Sequence, residues 1–144
     1  MYLDSAVIVK LLVPEPDSLF YAGLVNGQMA WTAEIALAEC YAALLRKERE
    51  GAVFARQRKA AWKQIDDDVA ARRLSLVGVN RSVLDSANRI MAACHPRIPL
   101  RSLDAIHLGA AAECASWPLC TPDARMRAAA LRMGFAVTPL PGRG

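Results

Sequence analysis

Short apolar runs alternate along this chain with longer stretches whose apolar residues recur at three- and four-residue intervals. The runs at 1–3, 29–31, 74–79, 117–121 and 135–137 have the length of buried strands. Helical spacing predicts helices at 5–12, 17–25, 32 to about 50, 52–73, 82–94, 102 to about 115, and 122–133. In the fifth of these, Val83, Ala87, Ile90, Met91 and Cys94 form the inner face, with Arg81, Asp85 and Arg89 outside. The punctuation agrees. Pro14 and Pro16 stop the first helix, Asn26-Gly27 ends the second, and Gly51 and Gly134 close two others. Thr32, Asn80 and Ser102 have the chemistry of N-caps, and His95-Pro96 breaks the helix before it. Pro118 is tolerable in a strand only at its start. Strands that alternate with helices in this way predict an α/β domain around a mainly parallel sheet.

Composition narrows the setting. A chain of 144 residues that is 54% apolar can bury one sizeable core, so a single domain is expected. Its 22% charged residues are interspersed, and no repeat or low-complexity block interrupts them. No apolar run is long enough to span a bilayer, and the first residues do not read as a signal peptide, so a soluble, cytoplasmic protein is expected. The four cysteines make no Cys-x-x-Cys pair and have no zinc-ligand spacing with His95 or His107. Cys40, Cys94 and Cys114 fall in apolar helical patterns and read as core residues. A net charge of +4 permits an acidic partner without demanding one. The excess at 46–49 and 56–63 reads first as a solvated helix face, partly offset by Glu48 and Glu50, and only second as a phosphate-binding surface.

Most acids have ordinary surroundings. Asp66, Asp67 and Asp68 point in different directions from one helix among Lys63, Arg72 and Arg73, and Asp85 lies one turn from Arg81 and Arg89. Glu39 has only Ile35, Ala36, Ala42 and Ala43 at helical distance, so nothing on its own helix can neutralise it. Asp104 stands in a helix apolar nearly all round, where a buried carboxylate is costly unless compensated. Asp4 and Asp123 follow directly on strands, at the carboxyl edge where parallel sheets collect function. Taken singly, Asp4, Asp104 and Asp123 are also explained as helix-terminal acids, Glu39 as an exposed one, and His107 as a core histidine. Brought together, the four acids would repel by about 4 kcal/mol per pair at ~4 Å and an effective dielectric near 20. A hard divalent cation would relieve that conflict, and oxygen-only ligands select Mg²⁺ or Mn²⁺ over zinc.

At these residues the chain resembles the PIN-domain nucleases and, within them, the VapC-type toxins of toxin–antitoxin pairs. The matching stretches are Tyr2-Leu3-Asp4-Ser5-Ala6-Val7-Ile8-Val9-Lys10-Leu11-Leu12, then 32–46 around Ala38-Glu39. Leu100-Arg101-Ser102-Leu103-Asp104-Ala105-Ile106-His107-Leu108 follows, and last Thr121-Pro122-Asp123-Ala124-Arg125-Met126 leading to Gly134. The resemblance implies a three-layer α/β/α sandwich with a five-stranded, mainly parallel central sheet over residues 1–138, and a short tail at 139–144. It implies catalytic, metal-binding acids at Asp4, Glu39, Asp104 and Asp123, supporting hydroxyls at Ser5 and Thr121, and Mg²⁺, replaceable by Mn²⁺, as cofactor. Hydrolysis of an RNA phosphodiester is the implied reaction, leaving a 5′-phosphate and a 3′-hydroxyl, with Arg46, Lys47 and Arg49 available to the RNA backbone. A VapB-type antitoxin and a homodimer are the implied partners, with apolar residues of the 32–73 helices a candidate surface. Ala6 and Pro122 depart from the family pattern at positions that bear on supporting hydrogen bonds. The alternative is a catalytically silent module of the same fold, which predicts erosion of the acidic quartet; none is missing. A haloacid-dehalogenase centre would want a carboxylate where Ala6 stands, a receiver domain an acidic pair near the start, and dinucleotide binding a Gly-x-Gly-x-x-Gly; all three features are absent.

Overall fold

A computed structural model describes residues 1–142. The chain runs β1 (Tyr2–Leu3), α1 (Ser5–Leu12), α2 (Ser18–Val25), β2 (Ala30–Ala33), α3 (Ile35–Arg49) and α4 (Ala55–Ala70). It continues through β3 (Leu74–Val77), α5 (Arg81–Cys94), α6 (Ser102–Glu113), β4 (Leu119–Cys120) and α7 (Ala124–Arg132). The strands form one parallel sheet in the order β3-β2-β1-β4.

Alternation along the strands divides the interior into two cores, as the two-residue period requires. Leu3 and Cys120 face one way, into a core with Ile8, Leu44 and Ile65 from α1, α3 and α4. Tyr2 and Leu119 face the other, into a core with Val83, Leu108 and Met126 from α5, α6 and α7. Helices thus cover both sides of the sheet, giving the three-layer α/β/α sandwich.

Among the described residues the sheet has four strands rather than the five expected. The segment at 135–137 does reach β4, but through a single parallel bridge, Leu119 to Val137. Leu119 N–H donates to Ala136 and its carbonyl accepts from Thr138. Pro118 and Pro122 bracket β4 and have no N–H to extend a ladder. Thr32 is not an N-cap: β2 continues through it to Ala33 in register with β3, and its hydroxyl donates to the Leu3 carbonyl at 2.8 Å. Helix α3 therefore starts later than expected, at Ile35. Ser102 is likewise the first helical residue, after an Arg101 cap that makes no side-chain hydrogen bond. Helix α4 begins at Ala55, where the Gln57 side chain accepts from Phe54 N–H at 2.8 Å. Asn80 caps α5 as expected, accepting from Val83 N–H at 3.1 Å. Gly134, at φ +76°, ends α7 in the left-handed region.

Helix α6 crosses α5 at close range. A Cβ on Gly109 would lie 2.6 Å from the Val83 carbonyl oxygen and 3.0 Å from the Ala87 nitrogen. Ser82 and Ser86 of α5 both donate to Glu113 of α6 at 2.7 Å, a second tie between the pair. Helix α6 carries Asp104 and His107, so this packing sets where those two side chains lie. All four cysteines are free, with Cys40, Cys94 and Cys120 buried. No described helix is long and apolar enough to cross a membrane. Of the expected tail at 139–144, residues 143–144 lie outside the described residues.

Candidate active site

Strand β1 has β2 on one side and β4 on the other, so the connections leave it in opposite directions and open a crevice at its carboxyl end. Asp4 is the first residue beyond β1, and Thr121 to Asp123 follow β4 directly. Asp4 is 7% exposed. Its Oδ1 accepts from the Ser5 hydroxyl at 3.2 Å and from Ala6 N–H at 3.4 Å, and its Oδ2 accepts from the Thr121 hydroxyl at 2.7 Å. The same Thr121 oxygen accepts from Asp123 N–H at 3.0 Å. One buried threonine thus couples the loop after β1 to the loop after β4. Ser5 and Thr121 are the two hydroxyls the sequence singles out.

Asp123 caps α7, its Oδ1 accepting from Arg125 and Met126 N–H at 2.8 and 2.9 Å. Asp104 stands in the first turn of α6. Three helix N-termini, those of α1, α6 and α7, therefore meet three aspartates. Capping and function are not rival explanations here, because partial positive charge at a helix start also stabilises an ionised carboxylate.

Asp104 is nevertheless uncomfortable. Burial first, and the Asp123 carboxylate second, hold its carboxyl above the usual range, while Arg101 N–H and Arg125 offset only part. Its Oδ2 is buried without a hydrogen-bond partner. Among the described residues neither Asp4, Asp104 nor Asp123 is in a salt bridge. A buried carboxylate oxygen with no hydrogen-bond partner, beside a second carboxylate and outside any salt bridge, is the kind of site a divalent ion satisfies. The donor set is all oxygen, which suits Mg²⁺ or Mn²⁺. Among the described residues no group of three Asp, Glu, His or Cys side chains stands close enough to enclose a metal ion. Thr121 links Asp4 and Asp123, and Asp104 lies within reach of the Asp123 charge, an open arrangement rather than a closed cage.

Glu39 reaches the area from α3. Its Oε2 lies 2.6 Å from His107 Nε2. Burial pushes the Glu39 carboxyl up, but His107 and then Ser5 more than offset it, and the net direction is downward. His107 is a buried core histidine, as its apolar helix predicts, and its Nδ1 lies 2.9 Å from the Tyr2 hydroxyl. Below it, the Cys40 thiol is pushed up to about 12, by burial first and then by the Glu39 and Asp4 charges. Tyr2 is a neighbour of the candidate site that the sequence did not reveal. A buried tyrosine hydroxyl needs a partner, but nothing local identifies a histidine 105 positions away.

A cavity of about 320 Å³ is lined by Ser5 and Glu39 together with Lys10, Glu15, Arg46 and Lys47, and Glu39 is the one member of the acidic quartet in its lining. The basic residues differ in freedom. Lys47 is held by Glu15 at 2.7 Å, and Arg46 approaches Glu50 at 4.0 Å on the exposed face. Arg49 does not line this cavity. A larger apolar hollow of about 440 Å³ lies near Ala30 and Leu74, the first residues of β2 and β3. It contains no member of the acidic quartet. Asp68, its one acid, pairs with Arg73. Two of the other acids set aside on sequence are accounted for in the same way, Asp67 by Lys63 and Asp85 by Arg81, whereas Asp66 is in no salt bridge among the described residues.

A parallel α/β/α sandwich with acids gathered beyond the carboxyl ends of its strands is the architecture of a PIN domain, and the PIN domain family model matches residues 1–131. The chain belongs to the PIN-domain family. It is similar to Ribonuclease VapC46 of Mycobacterium tuberculosis, with 37% identity over 140 residues that make up 95% of each chain.

Proposed function

We propose that this protein is the toxin of a type II toxin–antitoxin pair, an Mg²⁺-dependent endoribonuclease that hydrolyses RNA phosphodiester bonds in the cytoplasm. Family membership and the similarity to a ribonuclease over 95% of the chain support the class. The observation that carries the chemistry is Asp104, whose buried oxygen has no hydrogen-bond partner and lies beside the Asp123 carboxylate, a conflict that Arg125 offsets only in part. Asp4, Asp104 and Asp123 are the main ligands in this proposal, and Glu39 completes the set or orients the attacking water. When bound, the cation supplies a lowered water pKa and neutralises charge on the phosphate.

The chain's own residues do the rest. Thr121 holds Asp4 and the Asp123 backbone in fixed relation, so two ligands move as one unit. The single Ser5 hydroxyl proton is donated to Asp4, with Glu39 as its alternative acceptor. Arg46 and Lys47 line the cavity beside Glu39, where they meet an RNA backbone, and Arg49 extends the basic surface along α3. RNA binding frees Lys47 from Glu15, since the phosphate competes for the same ammonium.

A VapB-type antitoxin and a second copy of the chain are the proposed protein partners. The groove between α3 and α4, lined by Leu37, Tyr41 and Trp62 and edged by Arg58 and Lys59, has the aromatic floor and basic rim that suit an acidic amphipathic segment. The deciding experiment incubates the purified protein with structured RNAs in Mg²⁺ and in EDTA. Cleavage is expected in Mg²⁺ alone, leaving 5′-phosphates, and is expected to fall to background in Asp4→Asn and Asp104→Asn. Undiminished cleavage by either variant defeats the proposed centre. No cleavage of any RNA by the wild type, with no metal-dependent gain in stability, favours the silent module instead.

A further inference from the structure

Asp4, Asp104 and Asp123 are each fixed by a helix start, but Glu39 is not. It stands within α3 on a long, flexible side chain that is 25% exposed. What restrains it is a row of buried groups. Ala33 N–H donates to the Tyr2 hydroxyl at 2.9 Å, the Tyr2 hydroxyl lies 2.9 Å from His107 Nδ1, and His107 Nε2 lies 2.6 Å from Glu39 Oε2. The Tyr2 and His107 rings also pack edge to face, 5.9 Å apart at 77°. The Tyr2 oxygen accepts from Ala33. When the imidazole carries a single proton, on Nε2, that proton goes to Glu39 and Nδ1 accepts the Tyr2 hydroxyl proton. Every donor in the row then has an acceptor, and the row ends on a carboxylate. It spans three elements, β2 through Ala33, β1 through Tyr2 and α6 through His107, before meeting α3.

We propose that Tyr2 and His107 are positioning residues that hold one oxygen of Glu39 so that its other oxygen is set for the divalent cation. This inference rests on the metal-dependent nuclease proposed above. Outer hydrogen-bond partners of metal-ligating groups commonly change metal affinity about 10- to 100-fold when lost. The rival account is that the row only satisfies a core imidazole, in which case its loss affects stability alone.

Mn²⁺ binding measured by calorimetry, without RNA, separates the two. His107→Leu is expected to weaken Mn²⁺ binding by about 10- to 100-fold, and His107→Gln, which restores a donor toward Glu39, to recover most of it. Tyr2→Phe removes one oxygen and is expected to weaken binding by a smaller factor. In a Glu39→Gln background, His107→Leu is expected to cause no further loss. Nitrogen NMR of the imidazole is expected to show the Nε2-protonated tautomer in the wild type and a mixture in Tyr2→Phe. Unchanged Mn²⁺ affinity in a folded His107→Leu protein, or losses that add across the double variant, overturns the proposal. If His107→Leu does not fold, unchanged affinity and tautomer in Tyr2→Phe overturn it equally. A wild type that binds no Mn²⁺ removes the nuclease reading and this one together. A wild type that binds, is weakened by Glu39→Gln and is indifferent to His107 and Tyr2 removes only this one.

Discussion

Asp104→Asn is expected to make the metal-free protein more stable while destroying its function. In the wild type the Asp104 carboxylate is held above the usual range by burial and by Asp123, and its Oδ2 has no partner. An unsatisfied buried polar group costs about 1–3 kcal/mol, more when charged. The amide removes the charge and can donate to the neighbouring aspartates, yet it remains a polar group in the same place, so about 1 kcal/mol of that cost is recovered. For a domain of this size that corresponds to a rise in Tm of about 4 °C. Metal reverses the order. A cation present at about 100 times its Kd stabilises the wild type by about 2.7 kcal/mol, whereas the variant, having lost a ligand, gains little. Thermal unfolding of both proteins in EDTA and across an Mn²⁺ series should therefore give crossing curves, the variant more stable without metal and the wild type with it. A variant less stable than wild type in EDTA refutes the strain assigned to Asp104. One that keeps the full metal-dependent shift refutes its role as a ligand.

Glu15 joins Lys10 of α1 and Lys47 of α3 at 2.5 and 2.7 Å. Burial pushes its carboxyl up, but the two lysines outweigh this and hold it below the ordinary range. A depressed carboxylate contributes stability above its unfolded pKa, and loses it as pH falls through the folded one. Glu15→Gln should therefore cost about 1 kcal/mol at neutral pH, with the gap from wild type closing in acid below the ordinary Glu range; a gap constant with pH contradicts the ion-pair account. Gly109→Ala forces a methyl against the Val83 carbonyl, and overpacking of this kind costs about 1–3 kcal/mol, readable as a lower denaturation midpoint; an unchanged midpoint would mean that α5 and α6 can separate freely. Arg46→Ala with Arg49→Ala, tested in a cleavage-dead Asp4→Asn background, should make RNA binding less sensitive to salt. The slope is expected to fall by about 0.7 for each single-strand phosphate that the arginines neutralise; an unaltered slope excludes them from the RNA backbone.

The alternation of strands and helices, the mainly parallel sheet and the chain order of the described helices followed from local periodicity, because a face that must be buried repeats every two or every 3.6 residues whatever lies across from it, while the three layers were implied by the resemblance. Glu39 was legible as an acid with no base on its own helix, Asp104 as one in an apolar stretch, and Asp4 and Asp123 by their place after strands, while the family resemblance joined the four. What sequence did not determine was anything settled by a partner distant along the chain. Thr32 has the chemistry of a cap, yet pairing with β3 extends β2 through it, and its hydroxyl goes to Leu3 instead. The fifth strand has strand-like residues but meets a β4 only two residues long, and shrinks to one bridge. Lys47 reads as a free base until Glu15 is folded against it. The same holds for Thr121 as the link between two acidic loops, and for the row from Ala33 through Tyr2 and His107 to Glu39. A hydrogen bond depends on where both atoms come to rest, and for residues 105 positions apart in sequence only the packing of the α6 helix against the sheet decides that.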